Sequence, residues 1–353
     1  MKIPAYFDSL IPRPRVHANN FRPKQPVKRI IVFVRLPSPT FDYFLASRIG
    51  DAGMPPAVVV DIAGGALPNL DPHGVFVIFC RYANRASLDW VKRNANLLAG
   101  VGLFIDDDLA AWLTSPDVPI GYRAYLAHHG ILPLFRLNRY LDCVWTSTAA
   151  LARSIGEERA IVLPPAPRAS DFASDRRERP TGPIRIVFLA EYHSPEHRFL
   201  LPVVARVLER RPEVKIEVTE SQRYALQWRK LPGVTVSPFR PWPEFRAYTA
   251  ANPADIALVP LLPDRVNVAR SVTKRIDIAR MGAAGVFSRS SVFEDDAEPG
   301  EIFLPNDRDA WVDGIVRLID DPALRARAAA ATRLAVERLA AAAAGIPGLG
   351  QLG

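Results

Sequence analysis

The amino-acid sequence predicts an α/β protein with two parallel-sheet domains in tandem. Short β-branched apolar runs alternate with segments of helical periodicity, and such alternation is typical of βαβ units. The alternation stops at a proline-rich, charged stretch around residues 164–183 and then resumes. The chain has 353 residues, more than the roughly 250 to 300 at which a single hydrophobic core stops growing. We therefore expect a basic N-terminal arm at 1–29, a first domain at 30–167, a linker at 168–183, a second domain at 184–343 and a flexible tail at 344–353.

Apolar runs rich in Val, Ile and Phe define the strands of the first domain, because they are bounded by Gly, Pro or polar residues. They predict strands at 30–34, 57–62, 75–80, 101–105, 143–146 and 160–163. Apolar residues at helical spacing predict helices at 41–52, 86–98, 122–139 and 149–155. Strands that alternate with helices pair in parallel, with helices covering both faces of the sheet.

The second domain repeats this pattern. Its apolar runs predict strands at 184–189, 214–218, 234–236, 256–260, 285–288 and 302–304. Helical periodicity predicts helices at 198–210, near 223, at 243–251 and at 272–281. Asp320 and Asp321 before Pro322 provide an N-cap and a first-turn proline for a last helix that runs to about residue 343.

Composition excludes several classes of protein. Apolar residues make up 49% of the chain and charged residues 23%, which excludes a wholly disordered or fibrous protein. No apolar run approaches the roughly 18 to 20 residues of a membrane span, and the N-terminus lacks the apolar core of a secretory signal. We therefore expect a cytoplasmic protein. Cys80 and Cys143 lie in apolar strands without metal-ligand spacing, so we expect reduced thiols in the core.

The positive charge is concentrated at the N-terminus. The formal net charge is +8, and residues 1–30 hold seven cations against Asp8 alone. A basic arm favours an anionic partner, and the anionic inner face of a membrane is one alternative. The others are a solvated leader, or a strap packed on the first domain through Tyr6, Phe7 and Phe21. We expect no nucleic acid partner, because no RNP-like motif, zinc-finger spacing or basic helical repeat is present.

Three consecutive carboxylates, Asp106, Asp107 and Asp108, follow a predicted strand of the first domain. Grouped carboxylates resist joint ionisation, which can raise the pKa of one of them and make it a general base. They can also hold a divalent cation through oxygen, or one of them can cap the next helix while the others are solvated.

Arginines follow two other strands of the first domain. Arg35 comes after the first strand and Arg81 after the third. An arginine at the carboxyl end of a strand can pair bidentately with phosphate. A structural ion pair is the alternative for each of them.

The loop after the first strand of the second domain contains His193, His197 and Arg198. The two histidines are four residues apart, but Pro195 lies between them and argues against the single helix that a zinc pair needs.

A strand, loop and helix near residue 270 form the best candidate for an anion site. We expect the helix to present Ser271 in its first turn and Lys274 one turn later, close to backbone N–H groups that favour anions. Lys274 adds charge for a diphosphate, and Asp277 could accept hydrogen bonds from ribose hydroxyls. The alternative is a serine N-cap with a surface ion pair.

Five stretches of the second domain follow one another in a recognisable order: DIALVPLL at 255–262, NVARSVTKRID at 267–277, GAAGVFS at 282–288, IFLPND at 302–307 and LIDDPALR at 318–325. This order resembles the carboxy-terminal domain of GT-B glycosyltransferases of the glycosyltransferase family four type. The resemblance covers residues 184–335 well and the first domain more loosely.

The resemblance implies a GT-B fold, with two Rossmann-like domains facing across a cleft. It implies a glycosyltransferase that moves a sugar from a nucleotide-sugar donor to a glycan, a lipid-linked glycan or a protein, with retention of configuration and without a metal or other cofactor. The residues implied to bind the nucleotide sugar are His193, Arg198, Asn267, Ser271, Lys274 and Asp277. The first domain then supplies catalytic candidates and contacts to acceptor or phosphate, namely Asp106, Asp107, Asp108, Arg35 and Arg81.

One position departs from this pattern. Many relatives carry two glutamates eight positions apart around this loop and helix, whereas this chain has Ala269 at the first position and Asp277 at the second. The departure indicates an alternative, a catalytically inactive GT-B subunit that binds a glycan or a protein partner. Other enzyme classes lack support, because no GxGxxG turn joins a strand to a helix and no P-loop, GxSxG or HExxH motif is present.

Overall fold

A computed structural model describes residues 10–16, 23–64, 67, 69–172, 182–189, 193–220 and 223–349. Within these ranges the strands are β1 (Arg29–Val34), β2 (Ala57–Asp61), β3 (Val75–Cys80), β4 (Gly100–Ile105), β5 (Cys143–Thr146), β6 (Ile161–Val162), β7 (Arg185–Phe188), β8 (Lys215–Thr219), β9 (Val234–Ser237), β10 (Ile256–Val259), β11 (Ala284–Ser288) and β12 (Ile302–Leu304). The helices are α1 (Pro39–Phe44), α2 (Arg85–Asn94), α3 (Leu109–Thr114), α4 (Ile120–Leu126), α5 (Leu134–Leu137), α6 (Ala149–Ile155), α7 (Ser194–Arg210), α8 (Ala225–Trp228), α9 (Trp242–Ala251), α10 (Lys274–Met281), α11 (Ser291–Glu294), α12 (Arg308–Asp320) and α13 (Pro322–Ala342).

The chain divides into two compact units. The first contains the described residues up to Ala166, the segment Val268–Ser271 and the described residues from Ala341 onward. The second contains the described residues of Pro167–Asn267 and Val272–Ala340. The predicted linker at 168–183 falls within the second unit where it is described, and residues 173–181 lie outside the described ranges.

The first unit is built on a six-stranded parallel sheet in the order β2-β1-β3-β4-β5-β6. Strands β3, β4 and β5 are buried along their whole length, as expected for a parallel sheet covered on both faces. The predicted α/β class with parallel pairing is confirmed. Cys80 in β3 and Cys143 in β5 are free and buried, and burial raises the pKa of both thiols.

Residues late in the sequence complete the core of the first unit. Ala269 is packed into its main apolar cluster. Ile346 and Leu349 are also buried, and the guanidinium of Arg48 donates to the carbonyls of Ala344 and Gly345. The predicted tail at 344–353 is therefore packed over residues 344–349, and residues 350–353 lie outside the described ranges.

The described parts of the basic arm, residues 10–16 and 23–28, pack on the first unit. Val16 belongs to its core, and Arg13 and Lys24 form ion pairs with Asp108 and Asp142. In these segments the arm is a strap and not a solvated leader. The strap contacts predicted from the sequence lie outside the described residues: Tyr6, Phe7 and Phe21.

The second unit contains another six-stranded parallel sheet, in the order β12-β11-β10-β7-β8-β9. In chain order within the unit this is the doubly wound Rossmann arrangement, with the strand order reversing between β7 and β10. Its main core is formed between the sheet and helices α7, α12 and α13.

The helix predicted over 122–139 is interrupted. Helix α4 leads into a π-helical turn at Ala127–Ile131, and α5 begins only after Pro133. Gly130 has helical neighbours but no side chain, and a Cβ there would lie 2.6 Å from Leu109. The absence of a side chain at Gly130 therefore allows this segment to approach Leu109 of α3 closely. Among the described helices, none is both long and apolar enough to cross a membrane.

Candidate functional site

The carboxyl ends of the strands are the expected site in each unit, because open parallel sheets bind ligands where the strand order reverses. In the first unit this point lies between β1 and β3, and in the second between β7 and β10. The residues predicted to form the site follow β1, β3, β4, β7 and β10. The topology therefore brings most of them to one edge of each sheet.

Arg81 follows β3 in a left-handed backbone conformation, with φ of 65°. For a residue other than glycine this conformation costs roughly 1 to 2 kcal/mol. The turn is held by two backbone hydrogen bonds, from Arg81 N–H to the Phe104 carbonyl at 2.8 Å and from Tyr82 N–H to the Cys80 carbonyl at 2.7 Å. Strain of this kind is concentrated at functional sites, where the surrounding structure holds it in place.

Asp106 and Asp107 both lie against the guanidinium of Arg81. Nη1 is 3.3 Å from Asp106 Oδ1, and Nη2 is 3.1 Å from Asp107 Oδ2. Thr40 Oγ1 donates to the other Asp106 oxygen at 2.7 Å. Burial raises the pKa of Asp106 and the neighbouring Asp107 adds to the effect, whereas Arg81 and Thr40 partly oppose it. Asp106 therefore stays a candidate for the general base predicted from the sequence.

Asp108 differs from its two neighbours because it is the N-cap of α3. Its Oδ1 accepts hydrogen bonds from the N–H groups of Ala110 and Ala111 and from Arg13, and its Oδ2 accepts one from Ser154. The side chain is buried. The structure thus shows the capping role considered from the sequence, and it does not group Asp108 with the carboxylates around Arg81.

An aromatic row lies at the same edge of the first unit, formed by Trp112, Tyr122 and Tyr125. The rings of Tyr122 and Tyr125 are stacked, with centroids 6.1 Å apart and planes 7° apart, and Trp112 meets Tyr122 edge-on at 6.2 Å. The guanidinium of Arg35 lies over the ring of Tyr125 at 5.2 Å. Sequence analysis missed the row, although two tyrosines three residues apart in a helical segment were a visible signal.

In the second unit, Lys274 is the first residue of α10. Its Nζ donates to the carbonyl of Leu189 at 3.1 Å and lies 3.5 Å from Asp277 Oδ2. Leu189 directly follows β7, so the ammonium is at the point where the strand order reverses. About a third of the side chain is exposed, and Nζ lies 5.8 Å from the ring centroid of Phe245.

Ser271 is not in the first turn of that helix, as the sequence predicted. Helix α10 begins two residues later than expected, at Lys274, and Ser271 belongs to the segment that packs with the first unit. The carbonyl of Ala269 in the same segment accepts a hydrogen bond from Thr148. Residues Asn267–Ala269 form a 3₁₀ turn, and the helix starts after the segment.

Asp277 is held by cations of its own unit. Arg280 Nη1 is 3.2 Å from Asp277 Oδ1, and Arg280 Nη2 is 3.3 Å from Asp171. Arg246 also pairs with Asp171, at 3.2 Å. The carboxylate of Asp277 therefore lies in a buried ion-pair network and positions Lys274.

Asn267 and Glu196 fix the loop that follows β10. Asn267 Nδ2 donates to Glu196 Oε1 at 2.7 Å and to the Leu262 carbonyl at 2.8 Å. Leu262 N–H also donates to Glu196. Burial alone would raise the pKa of Glu196, but hydrogen bonds and charge from His193 and nearby N–H groups lower it to about 2. Glu196 was missed, although a carboxylate in the first turn of a helix is a recognisable signal.

The remaining candidates lie on α7 and at its start. His193 Nδ1 is 3.6 Å from Glu196, and Arg198 is exposed. His197 is buried and accepts a hydrogen bond at Nδ1 from Trp228 Nε1, so its proton is on Nε2, which faces Glu220 at 3.2 Å. Both nitrogens of His197 are therefore occupied. Within the described ranges, no group of three His, Cys, Asp or Glu side chains is placed to hold a metal ion.

Two Rossmann-like parallel sheets, each with a loop site at the point of strand reversal, give the chain the GT-B fold of glycosyltransferases. HepE of Anabaena, crystallised with UDP and glucose, is 14% identical with a TM-score of 0.57, over 88% of this chain and 95% of HepE. OtsA in its apo form is 11% identical with a TM-score of 0.55, over 88% of this chain and 96% of OtsA.

TarM of S. aureus is 10% identical with a TM-score of 0.53, over 76% of this chain. The match covers 53% of TarM, so this chain spans about half the length of that protein. No protein-family profile matches the sequence, and no curated protein is similar to it. The resemblance to family four therefore rests on the residues quoted above.

Proposed function

We propose that this protein is a glycosyltransferase that moves a sugar from a nucleotide-sugar donor to an acceptor. The observation that carries the proposal is the position of Lys274. Its ammonium lies at the carboxyl end of β7, where the second sheet reverses strand order, on a loop and helix that Asn267 and Glu196 hold in place. A cation at this point of a Rossmann-like sheet suits the diphosphate of a nucleotide.

The second unit then binds the donor. Lys274 stabilises the charge that develops on the leaving diphosphate, and Asp277 orients the ammonium from one helical turn away. His193 and Arg198 flank the same loop and provide further contacts to phosphate. Asn267 acts through the backbone of the loop, because its amide is used to brace that backbone.

The first unit binds the acceptor. Asp106, Asp107 and Arg81 form the polar part of that site, and Asp106 is the general base if the product has inverted configuration. The resemblance to family four favours retention instead, which requires no base on the opposite face of the sugar. In either case the residues of the chain supply the charge stabilisation, and we propose that no catalytic metal is needed.

Contact with an anionic membrane through the basic arm stays a prediction, as does a cytoplasmic location. Among the described residues of the arm, Arg13 and Lys24 already have carboxylate partners in the first unit. Arg15 and Arg29 are exposed, and they are available for a surface of negative charge.

Titration with UDP tests the donor site. The variant Lys274→Ala loses a charge-assisted interaction of roughly 1.5 to 3 kcal/mol, so its affinity for UDP should fall by about tenfold or more, measured by isothermal calorimetry. Lys215→Ala is the matched control, because Lys215 is exposed at the amino end of β8 in the same sheet. Its affinity should equal that of the unmodified protein.

Equal affinities of Lys274→Ala and Lys215→Ala for UDP would remove Lys274 from the donor site. Binding of UDP without hydrolysis or transfer from any UDP-sugar would favour the inactive-subunit alternative. Ala269 is the residue that makes this alternative specific, because it is buried in the core of the first unit and cannot contact a donor sugar with a carboxylate.

A further inference from the structure

The aromatic row of the first unit has an arginine at each end. Arg35 lies over Tyr125, and at the other end the guanidinium of Arg270 lies over the ring of Trp112 at 5.1 Å. Arg35 follows β1, one of the two strands at the reversal point, and Arg270 belongs to the segment Val268–Ser271 of the same unit. The result is a row of rings bracketed by two cations.

Neither of these arginines has a carboxylate partner within the part of the chain that the structure describes. The Nε atom of Arg270 is buried, and it donates no hydrogen bond to any of the described residues. By contrast, Arg81 at the same edge faces two carboxylates. Cations over aromatic rings gain some energy from the ring quadrupole, but their N–H groups remain available for an anion.

The local potential is also positive. Burial lowers the pKa of His129, and the charges of Arg35 and His128 lower it further. His129 packs against Tyr125 with centroids 4.6 Å apart. An anion that approaches the Tyr125 end of the row is therefore attracted by Arg35.

The chemistry of the row selects one class of ligand. The C–H face of a pyranose ring packs on the electron-rich face of an aromatic ring, and a guanidinium fork pairs with a carboxylate or a phosphate monoester. A neutral lipid chain would leave both cations unpaired. A neutral sugar would use the rings and leave the guanidinium groups without partners.

We propose that the Tyr125 end of the aromatic row, with Arg35, binds an acidic sugar, a pyranose that carries a carboxylate or a phosphate. The role of this sugar as the acceptor rests on the glycosyltransferase function proposed above. Binding of the sugar does not rest on that function, because it needs neither a donor nor turnover. The inference narrows the acceptor from glycan, lipid-linked glycan or protein to an anionic glycan.

Saturation-transfer NMR on the full chain tests the inference with defined probes. The anionic probes are glucuronic, galacturonic and mannuronic acid and glucose 6-phosphate. Methyl glucoside, a pyranose without charge, and inorganic phosphate, a charge without a pyranose, test the two parts of the ligand separately. We expect at least one anionic sugar to bind at least tenfold more tightly than methyl glucoside and inorganic phosphate. A uronic acid that binds without the phosphate ester, or the reverse, identifies the source of the charge.

Matched variants assign the site. Arg35→Gln should weaken the anionic sugar at least tenfold, whereas Arg29→Gln, which removes the same charge at the amino end of β1, should leave it unchanged. Tyr125→Phe keeps the ring and should bind normally, and Tyr125→Leu should not. Arg35→Lys keeps the charge without the fork, and an intermediate affinity supports bidentate pairing.

The inference is overturned if no anionic sugar binds, if Arg35→Gln and Arg29→Gln behave alike, or if UDP displaces the sugar and so marks the row as a nucleotide site. UDP titration of the same samples keeps the two proposals apart. Normal UDP binding with no sugar binding defeats this inference alone. Sugar binding without UDP binding defeats the donor site and leaves the inference standing.

Discussion

Each unit contains an arginine with little exposed surface that pairs with carboxylates, and the two arginines are held in different ways. In the second unit, Arg275 donates through Nε and Nη2 to both oxygens of Glu301, at 2.9 and 2.8 Å, and also to the Phe293 carbonyl. It lies on a regular helix. In the first unit, Arg81 has a left-handed backbone, its carboxylate contacts are longer, and its Nε has no acceptor among the described residues.

The difference distinguishes an arginine that stabilises the fold, Arg275, from one that the fold positions, Arg81. Arg275 uses a planar, bidentate arrangement that satisfies both partners. Arg81 is placed by its backbone turn, so that two carboxylates and an incompletely satisfied guanidinium meet at the edge of the sheet. Incomplete satisfaction is unfavourable for stability, but it leaves donors for a ligand.

The largest expected effect is at the arginine of the second unit. Arg275→Met leaves the fully buried carboxylate of Glu301 without its partner, so the free energy of unfolding should fall by about 3 to 5 kcal/mol in urea denaturation. Arg333→Met breaks an exposed i,i+4 pair with Glu337 and should change it by at most about 0.5 kcal/mol. If Arg275→Met were as mild as the control, the bidentate pair would not be structural. Adding Glu301→Leu to Arg275→Met should recover much of the loss.

A smaller effect is expected at Glu196, which contrasts with Asp106 in the first unit. Because the pKa of Glu196 is lowered to about 2 from an ordinary value of 4.5, its charge stabilises the fold above pH 4.5, by about 3 kcal/mol. The loss of unfolding free energy in Glu196→Gln, relative to the unmodified protein, should be complete at pH 7 and should shrink as the pH falls from 4.5 to 2. Unfolding curves across this range measure it, with the exposed Glu244→Gln as control. A deficit that does not depend on pH would contradict the ion-pair account.

The smallest expected effect tests the backbone of Arg81. At φ of 65°, Arg81→Gly should be more stable than Arg81→Ala by about 1 kcal/mol, because only glycine adopts this region without a Cβ clash. At Arg153 in α6 the order should be reversed by about 0.5 to 1 kcal/mol, since alanine favours helix. Denaturant unfolding of the four variants measures both differences. The same order at both positions would mean that Arg81 is not strained.

Strands were easier to predict than the site residues around them. The ranges of β3, β5 and β12 agree with the prediction because each is a short, mainly apolar run between breakers. β3 and β5 are also buried on both faces. The helix over 122–139 failed because apolar spacing continues through the π turn and the proline. Periodicity records which face is buried, and it does not record a change of pitch.

The site was only partly predictable for a similar reason. Asp106 and Arg35 could be identified because they directly follow strands, and chain order alone places them at the edge of a sheet. Lys274 could be identified because it lies at the start of the helix that comes after a strand and its loop. The pairing of Arg275 with Glu301 depends on tertiary packing between residues 26 apart. The positive φ of Arg81 could not be read from the sequence, because the usual signal is a glycine.

Because Ala344, Ile346 and Leu349 belong to the first unit, this unit is assembled from residues synthesised both before and after most of the second unit. Arg48 leaves the ribosome long before the carbonyls of Ala344 and Gly345 that it binds, which lie 296 and 297 residues later in the chain. At roughly 5 to 20 residues per second, the chain between Ala166 and Ala341 takes on the order of 10 to 35 seconds to emerge. During this interval Met54 of the nascent first unit lacks the contact that Ile346 later makes with it. The residues of the second unit are all synthesised before Ile346 can contact Met54. The unit whose synthesis begins first is therefore the last to complete its packing.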